Sequence, residues 1–573
     1  MCFFDSITHV TEISRTRMIT AALPYANGPL HFGHLAGVYL PADIYFRHSK
    51  LFGKNAVYIC GSDEHGVAIT LNAEKQKTPY QQYVDHWAIE HQKLFTNYDV
   101  EFTYYGRTTS KLHAKISQDF FIRIHRAGYL NEKSERQAFC LNDQVFLPDR
   151  YLTGTCTVCG YEQARSDECP NCGSWLSFEQ IKDPRCAICG KNNIEVREVS
   201  QWYFDLPKLA PKVREWLNSQ SEWKPNVKNY AISLLENIPE RAVTRNVNWG
   251  IDLPAEFHAE GKKIYVWFEA PIGYLSNLRE WAEKKCGDAV WKKYWQLPSE
   301  LIHFIGKDNI IFHTIIWPAM LMAAGERIPT NVPANMFVNL QKKQFSKSAG
   351  WYVDADETIQ NYGVDRVRYY LTSIIPEFQD TSFDWQIFLH KVNAELVNKI
   401  ANLFNRVATQ VKKHYNGKLE PADFANITDL SQVHSEVISS LEKFEINTAL
   451  NRIVSLSEEG NKYLDDVKPW NVIKENVATA KILFANASHY MVSIAALLQP
   501  FLPTYSNRVL SGFSIPASDQ ELRGVLYRES GQALLKGRGL QIQTDSDFVI
   551  PRIDAKKIEE ELAKLEEMSK AKT

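Results

Sequence analysis

Apolar positions in the first part of the chain come in short runs that alternate with helical periodicity. Met18-Ile-Thr-Ala-Ala22 is a mostly apolar run that suits a buried strand, and after it Leu35, Val38, Ala42, Tyr45 and Phe46 recur at helical spacing. Between them Asn27, Gly28 and Pro29 turn the chain. Val57 to Cys60 reads as a second strand, Thr109 to Gly128 as a helix with Leu112, Ile116, Phe120 and Ile124 on one face, and Leu301 to Ile305 as another buried strand. Lys263 to Tyr274 reads as a strand running into a loop. From about Trp385 helical stripes take over: Leu389, Val392, Leu396, Ile400 and Phe404, then Val437 to Tyr463 and Ala478 to Leu498. The last stretch, Asp554 to Thr573, places Ile558, Leu562 and Leu565 on one face of an amphipathic helix. The pattern predicts a parallel α/β domain followed by a helix bundle.

At 573 residues the chain exceeds one core, and three to five domains or subdomains are expected. A 45% hydrophobic and 23% charged composition is that of an ordinary globular protein. A net charge of −2 means that any nucleic-acid contact must come from local patches. No apolar run reaches membrane-spanning length, and Met1 to Arg17 is not a secretion signal, since Asp5, Glu12, Arg15 and Arg17 interrupt it. Met18 could itself be an alternative start. Six of ten cysteines fall in C-x-x-C pairs, the arrangement of metal thiolates in a reducing compartment, which points to the cytosol. Cys2, Cys60 and Cys286 stand alone and read as small apolar residues.

Chemistry-bearing residues collect at the strand ends. His31 and His34 sit one helical turn apart at the first strand–loop–helix joint, where helix-start amides and two imidazoles can stabilise growing charge on a phosphate. A pair of satisfied histidines beside a tight turn is the bland alternative. Asp63 ends the second strand and either meets an ammonium group or caps the next helix; Asp308, after Gly306, follows another buried strand, and its bland reading is an N-cap. The run Gln344-Phe-Ser-Lys-Ser348 offers a lysine and hydroxyls on a loop that could grip a leaving pyrophosphate. Cys156, Cys159, Cys169 and Cys172, spaced C-x2-C-x9-C-x2-C with Gly160 and Gly173 behind the pairs, form a closed structural zinc knuckle. Cys186 and Cys189 need partners, and Cys140 with Asp143 could supply them for a second zinc; a decayed knuckle held by packing is the alternative.

The His31-x-Gly33-His34 segment, preceded by Ala22-Leu-Pro-Tyr-Ala-Asn-Gly28, resembles the first signature of the class I aminoacyl-tRNA synthetases, and of their methionyl branch in particular. The Gln344-Phe-Ser-Lys-Ser348 run resembles the second signature, with Gln344 in place of its first lysine and Phe345 in place of methionine. Lys342 or Lys343 could take over the missing contact. The resemblance covers Met18 to about Leu540, with the signatures in order. It implies a Rossmann-type catalytic domain split by a connective insertion, then an anticodon-binding bundle. The boundaries read as an N-terminal extension at 1–17, catalytic halves at 18–130 and 224–330, the insertion at 131–223, a stem-contact region at 331–385, the bundle at 386–545 and a helical tail at 546–573. The insertion is too short for a hydrolytic editing domain. Many longer relatives append a tRNA-binding, dimerising domain after the tail, so the chain reads as a naturally short form or a trimmed one.

The resemblance also assigns roles. His31, His34 and Lys347 are implied to be catalytic, and ATP is held by these with Gly33, Gly306, Asp308 and Ser346. Methionine is implied to lie among Ala22, Leu23, Tyr25, Asp63, Trp267, Pro271, Tyr274, His313 and Trp317, with Asp63 on its ammonium. Asn402, Arg406 and Trp470 match the anticodon readers; their bland alternative is a solvated helix face and a core tryptophan. ATP with Mg²⁺, L-methionine, tRNA(Met) and one or two Zn²⁺ are the expected ligands. Two rival functions stay open: another class I synthetase, specific for cysteine, isoleucine or leucine, and a non-catalytic zinc-containing tRNA-binding protein.

Overall fold

A computed structural model describes residues 16–571 except 167, 168, 173, 175, 286, 288, 347–349 and 544–547. The catalytic loop residues Lys347 and Ser348, the knuckle residue Gly173, and Cys2 and Cys286 therefore lie outside the described residues.

The core of the first domain is a five-stranded parallel sheet. Strands β1 (Thr16–Ala21), β2 (Asn55–Ser62) and β3 (Tyr104–Arg107) run consecutively on one side of β1. The chain then leaves through β4 (Leu130–Cys140) and returns through its antiparallel partner β5 (Ile194–Phe204), paired from Leu130↔Phe204 to Cys140↔Ile194. It re-enters the parallel sheet as β6 (Glu300–Gly306) and β7 (Ala334–Asn335), on the other side of β1. The order β7-β6-β1-β2-β3 makes β1 the strand at which winding reverses, and ligand crevices form at the carboxyl ends of such strands. Every residue of β1 is buried, which accounts for a run that is apolar on both faces.

The insertion carries a second small sheet, Ala164–Arg165, Leu152–Cys156 and Ile181–Cys186, that brings the cysteines together. The expected strand from Lys263 is corrected. Only Lys263–Ile264 is extended; Val266–Glu269, a turn at Ala270–Ile272, and Gly273–Lys285 are helical. Phe268, Ile272 and Leu275 bury themselves at helical spacing, so core packing overrides the β preference of Ile-Tyr-Val-Trp-Phe.

Trp385–Lys391, Val392–Ala401 and Asn402–Tyr415 join into one long helix, packed with Ile446–Val467 and Val477–Leu498, and Ser431–Glu442 packs in turn on Ile446–Val467. Val477–Leu498 is long and apolar enough to cross a membrane, but 83% of its apolar window is buried in the protein, as for a bundle's central helix. The terminal helix Ala555–Lys570 buries Ile558 and Leu565 and places Lys564 on Glu357. One hydrophobic cluster runs unbroken from Ile19 and Leu35 through Tyr370 and Phe404 to Leu498 and Leu565, so sheet and bundle share a core. At their junction Arg17, at the start of β1, forks onto both oxygens of Glu442 at 2.9 and 3.0 Å, while His48 Nε2 meets the same carboxylate at 2.6 Å.

Candidate active site and metal centres

The loop after β1 is tied to the end of β2: the Ala26 amide donates to the Asp63 carbonyl at 2.8 Å, and the Asp63 amide to Pro24 at 2.9 Å. The next helix begins at Phe32 with His31 as its N-cap. The Gly33 amide donates to His31 Nδ1 and the His31 amide to His34 Nδ1, both at 3.1 Å. Each imidazole thus spends Nδ1 as an acceptor, which leaves the proton of the neutral ring on Nε2 as a donor. Burial, then the neighbouring His31 and His91, holds His34 well below the usual histidine range, so it is neutral. The ring of His31 lies so close over Gly33 that a Cβ there would stand 2.8 Å from Cε1, which explains glycine between the histidines. Leu35–Tyr39 then widens into a π-helical turn, as does Phe312–Ile316 after β6; such turns often mark functional sites.

The second signature reaches the first. Phe345 stacks on His31 with ring centroids 4.5 Å apart and planes at 8°. Ser346 is pinned by paired backbone hydrogen bonds to Trp351 at 2.8 Å. Lys343 Nζ sits 4.7 Å over the Trp351 ring, a cation–π contact on the far end of the same loop. Gly306 closes β6, and Asp308 follows in a short 3₁₀ turn, Lys307–Asn309. Neither Asp63 nor Asp308 is a helix N-cap; that position falls to Gly66 and Gly306 respectively.

Asp63 is 4% exposed and its Oδ1 has no hydrogen-bond partner among the described residues. Burial, and after it the charge of Glu269, pushes its carboxyl well above the usual range. An orphaned buried carboxylate oxygen is an open place for a cation. Around it Tyr25 pairs with Asp63 through the backbone, Leu23 packs 3.2 Å from the space beside Gly273, and Ala22 is held by its amide on Phe304 at 2.9 Å. Pro271 and Tyr274 are buried, and Trp267, 37% exposed, stands edge-on to Phe312 at 4.8 Å. His313 Nδ1 donates to the Asn309 carbonyl at 3.0 Å, so its Nε2 accepts from the Tyr274 hydroxyl at 2.7 Å. Burial lowers His313 to about 4 and keeps it neutral. Trp317 lies one layer back: fully buried beside Phe120 and Trp295, it donates to His303 Nε2 at 3.3 Å, and His303 stacks on Tyr274 at 4.6 Å.

Several residues of this site carry no sequence signal of their own. His303 sits inside an apolar strand, where a lone polar residue was the available hint. Glu269 is fully buried between His65 Nδ1 at 2.8 Å and His113 Nε2 at 2.6 Å. Burial opposes its ionisation, but the two imidazoles outweigh it and hold the carboxyl below its usual range.

Both cysteine clusters assemble. The four Sγ atoms of Cys156, Cys159, Cys169 and Cys172 lie within 4.8 Å of one another, with Cys156–Cys172 at 4.0 Å and Cys159–Cys169 at 3.6 Å. A zinc tetrahedron with bonds of about 2.3 Å has edges of about 3.8 Å, so the donor set fits. Cys140, Asp143, Cys186 and Cys189 converge in the same way: Cys140–Cys189 is 3.7 Å, and Asp143 Oδ2 is 3.3 Å from Cys140 Sγ and 3.1 Å from Cys186 Sγ. The Val158 amide points at Cys156 Sγ and the Ile188 amide at Cys186 Sγ, as in zinc knuckles, with Gly160 and Gly190 at positive φ behind them.

In the bundle Arg406 bonds Asn461 Oδ1 at 3.2 Å and Asp465 Oδ1 at 2.7 Å and lies 5.2 Å over the Trp470 ring. Asn402 is exposed one helical turn earlier. The structure brings Arg406 and Trp470 into one surface cluster.

A split nucleotide-binding sheet with paired imidazoles at its winding switch, a knuckle-bearing insertion and a helical C-terminal domain define a class I aminoacyl-tRNA synthetase. The family described as "tRNA synthetases class I (M)" matches residues 17–408, and "Anticodon binding domain of methionyl tRNA ligase" matches 415–566. The chain belongs to the methionyl-tRNA synthetase family. It is 40% identical over 513 residues to the methionine–tRNA ligase of Pyrococcus furiosus, covering 86% of this chain and 71% of the other. With the Rubrobacter xylanophilus enzyme it shares 37% over 556 residues, covering 92% and 96%. A solved Mycobacterium tuberculosis methionyl-tRNA synthetase in complex with methionyl-adenylate has the same fold, with a TM-score of 0.74 at 21% identity, over 94% of this chain and all of that one.

Proposed function

We propose that the chain activates L-methionine with ATP and transfers it to the terminal adenosine of tRNA(Met), supplying protein synthesis including its initiation. Methionine's carboxylate oxygen bonds the α-phosphorus while the bond to the α,β-bridging oxygen breaks, and pyrophosphate leaves with that electron pair. A ribose hydroxyl of the terminal adenosine then bonds the carbonyl carbon, loses its proton, and displaces AMP. No covalent enzyme intermediate is involved, so catalysis rests on positioning and charge stabilisation.

The observation that carries this reading is the Phe345–His31 stack, which puts the second signature loop against the first. His31 and His34 present Nε2–H donors to the phosphates, with Gly33 allowing close approach. Lys347, beside Ser346, is assigned to the leaving pyrophosphate; Gly306 and Asp308 are assigned to the nucleoside. Asp63 takes the methionine ammonium, while Ala22, Leu23, Tyr25, Trp267, Pro271 and Tyr274 enclose the thioether side chain, oriented by His313 and backed by Trp317. Mg²⁺ arrives with ATP as part of the substrate. Cys156, Cys159, Cys169 and Cys172 hold one structural Zn²⁺, and Cys140, Asp143, Cys186 and Cys189 a second, weaker one. Asn402, Arg406 and Trp470 read the anticodon, the indole stacking on a base and the amide and guanidinium meeting base edges. The reaction is placed in the cytosol. Amino-acid-dependent ATP–pyrophosphate exchange tests the reading: methionine alone is expected to drive it, and exchange driven by cysteine, isoleucine or leucine, or by none, overturns it.

A further inference from the structure

The ammonium end and the side-chain end of the methionine site lie on different segments, and one buried carboxylate joins them. Asp63 directly follows β2, whereas Trp267, Pro271 and Tyr274 succeed one another along residues 266–285. Glu269 belongs to the second segment, where it ends the one-turn helix Val266–Glu269 two residues past Trp267. Its Oε1 accepts from Nδ1 of His65, two residues past Asp63, at 2.8 Å. Its Oε2 accepts from Nε2 of His113, in the helix Lys111–Arg126, at 2.6 Å. His113 Nδ1 in turn meets Ser276 Oγ at 2.8 Å, back on the segment of Glu269. His65 also holds Asp63: its backbone amide donates to that carboxylate, while Oδ1 is left without a partner among the described residues. Gly66, next along, has φ +112°, and a Cβ there would stand 2.6 Å from the Tyr25 hydroxyl, so this turn is packed against the pocket wall.

Fold stability does not require this arrangement, since a buried carboxylate held by imidazoles gives little net gain over apolar side chains of equal volume. What it supplies is a fixed separation, because hydrogen bonds this short hold their partners within narrow limits of distance and angle. We propose that Glu269 is a positioning residue that sets substrate specificity, a role that rests on the placing of methionine proposed above. By clamping His65 it fixes how far Asp63 Oδ1 stands from the walls of Trp267, Pro271 and Tyr274, and so makes the site a gauge of side-chain length. A side chain one methylene longer, anchored by its ammonium on Asp63, meets a wall that cannot yield while the clamp holds. A fixed apolar pocket discriminates against one methylene by about 10- to 200-fold, and a pocket whose two ends can move apart forfeits part of that factor.

Pyrophosphate exchange by the full chain, with methionine and its S-ethyl analogue ethionine compared as substrates, tests this. Glu269→Gln is expected to raise the methionine KM about tenfold or more, leave the ATP KM within about twofold, and narrow the kcat/KM preference for methionine over ethionine at least about threefold. His65→Ala should reproduce these effects. His65→Asn, whose side-chain N–H stands where the Nδ1–H stood, should return the preference to within about twofold of wild type. A clamp that served the fold alone would lower the Tm of these variants without touching the preference. An unchanged preference in Glu269→Gln and His65→Ala, a loss shared equally by the methionine and ATP KM values, or a His65→Asn no better than His65→Ala overturns the proposal. Should Glu269→Gln fail to fold, the two His65 variants carry the test. Wild-type exchange without response to methionine overturns the functional reading itself, so the two failures are told apart.

Discussion

Replacing Asp63 by asparagine separates what the methionine site does for binding from what it costs the fold. The carboxylate is 4% exposed, carries an unpaired Oδ1, and lies near the ionised Glu269. In the free protein that charge is a burden: burial and Glu269 raise its pKa, and asparagine removes the burden while keeping an acceptor for the His65 amide. The Tm of Asp63→Asn should therefore rise. With methionine bound, the lost partner of a buried ammonium costs about 3–5 kcal/mol, roughly 10²- to 10⁴-fold in Kd. The raised carboxyl also predicts proton linkage. Methionine binding ionises whatever fraction of Asp63 is protonated, so affinity strengthens as pH rises through the free-state pKa and levels off above it. Calorimetry in two buffers of different ionisation enthalpy reads the released proton directly. A methionine Kd within about tenfold of wild type, or a lowered Tm, would refute the assignment.

His34→Ala should slow pyrophosphate exchange more than about tenfold, that is by more than ~1.4 kcal/mol of barrier, and a smaller effect would remove its charge-stabilising role. Native mass spectrometry should find two zinc ions per chain, with Asp143→Ala losing one and Cys156→Ser losing the other. His313, His434 and His489 are all lowered to about 4 by burial, so between about pH 6.5 and 4 the unfolded chain takes up protons that the folded chain does not. Their stabilisation is complete above that window and is lost as pH falls through it, at a slope approaching about 4 kcal/mol per pH unit for the three together, offset in part by the raised carboxyl of buried Glu377; denaturant melts across the window measure it. Arg17→Leu leaves Glu442 with only His48 among the described residues and takes the guanidinium from Glu300, and with both carboxylates partly exposed it should cost about 1.5–3 kcal/mol in the same melts.

The sheet was legible because short apolar runs ended in turn residues and led into helical periodicity, as at Met18 to Leu35. The cysteine clusters were legible because knuckle spacing is itself a ligand geometry. The stretch after Lys263 misled, since its β-branched and aromatic residues serve a helix once the core on one side dictates the period. Phe345 read only as a residue in place of the signature's methionine; that it stacks on His31 is a contact across the fold, invisible to spacing. The same holds for His303 and Glu269, whose roles come from partners on distant segments. Lys347, the residue on which the sequence reading leans most, falls outside the described residues.

The continuous apolar interior beneath both halves bears on how the chain comes apart. A protease nick near residue 385 would divide the backbone without dividing the interior, since Tyr370 lies on one side of the cut and Phe404 on the other within the same cluster. The fragments should stay associated, and a catalytic half expressed alone should be sticky and poorly folded, because its missing wall belongs to the other piece. Heat should accordingly melt the two halves in a single step.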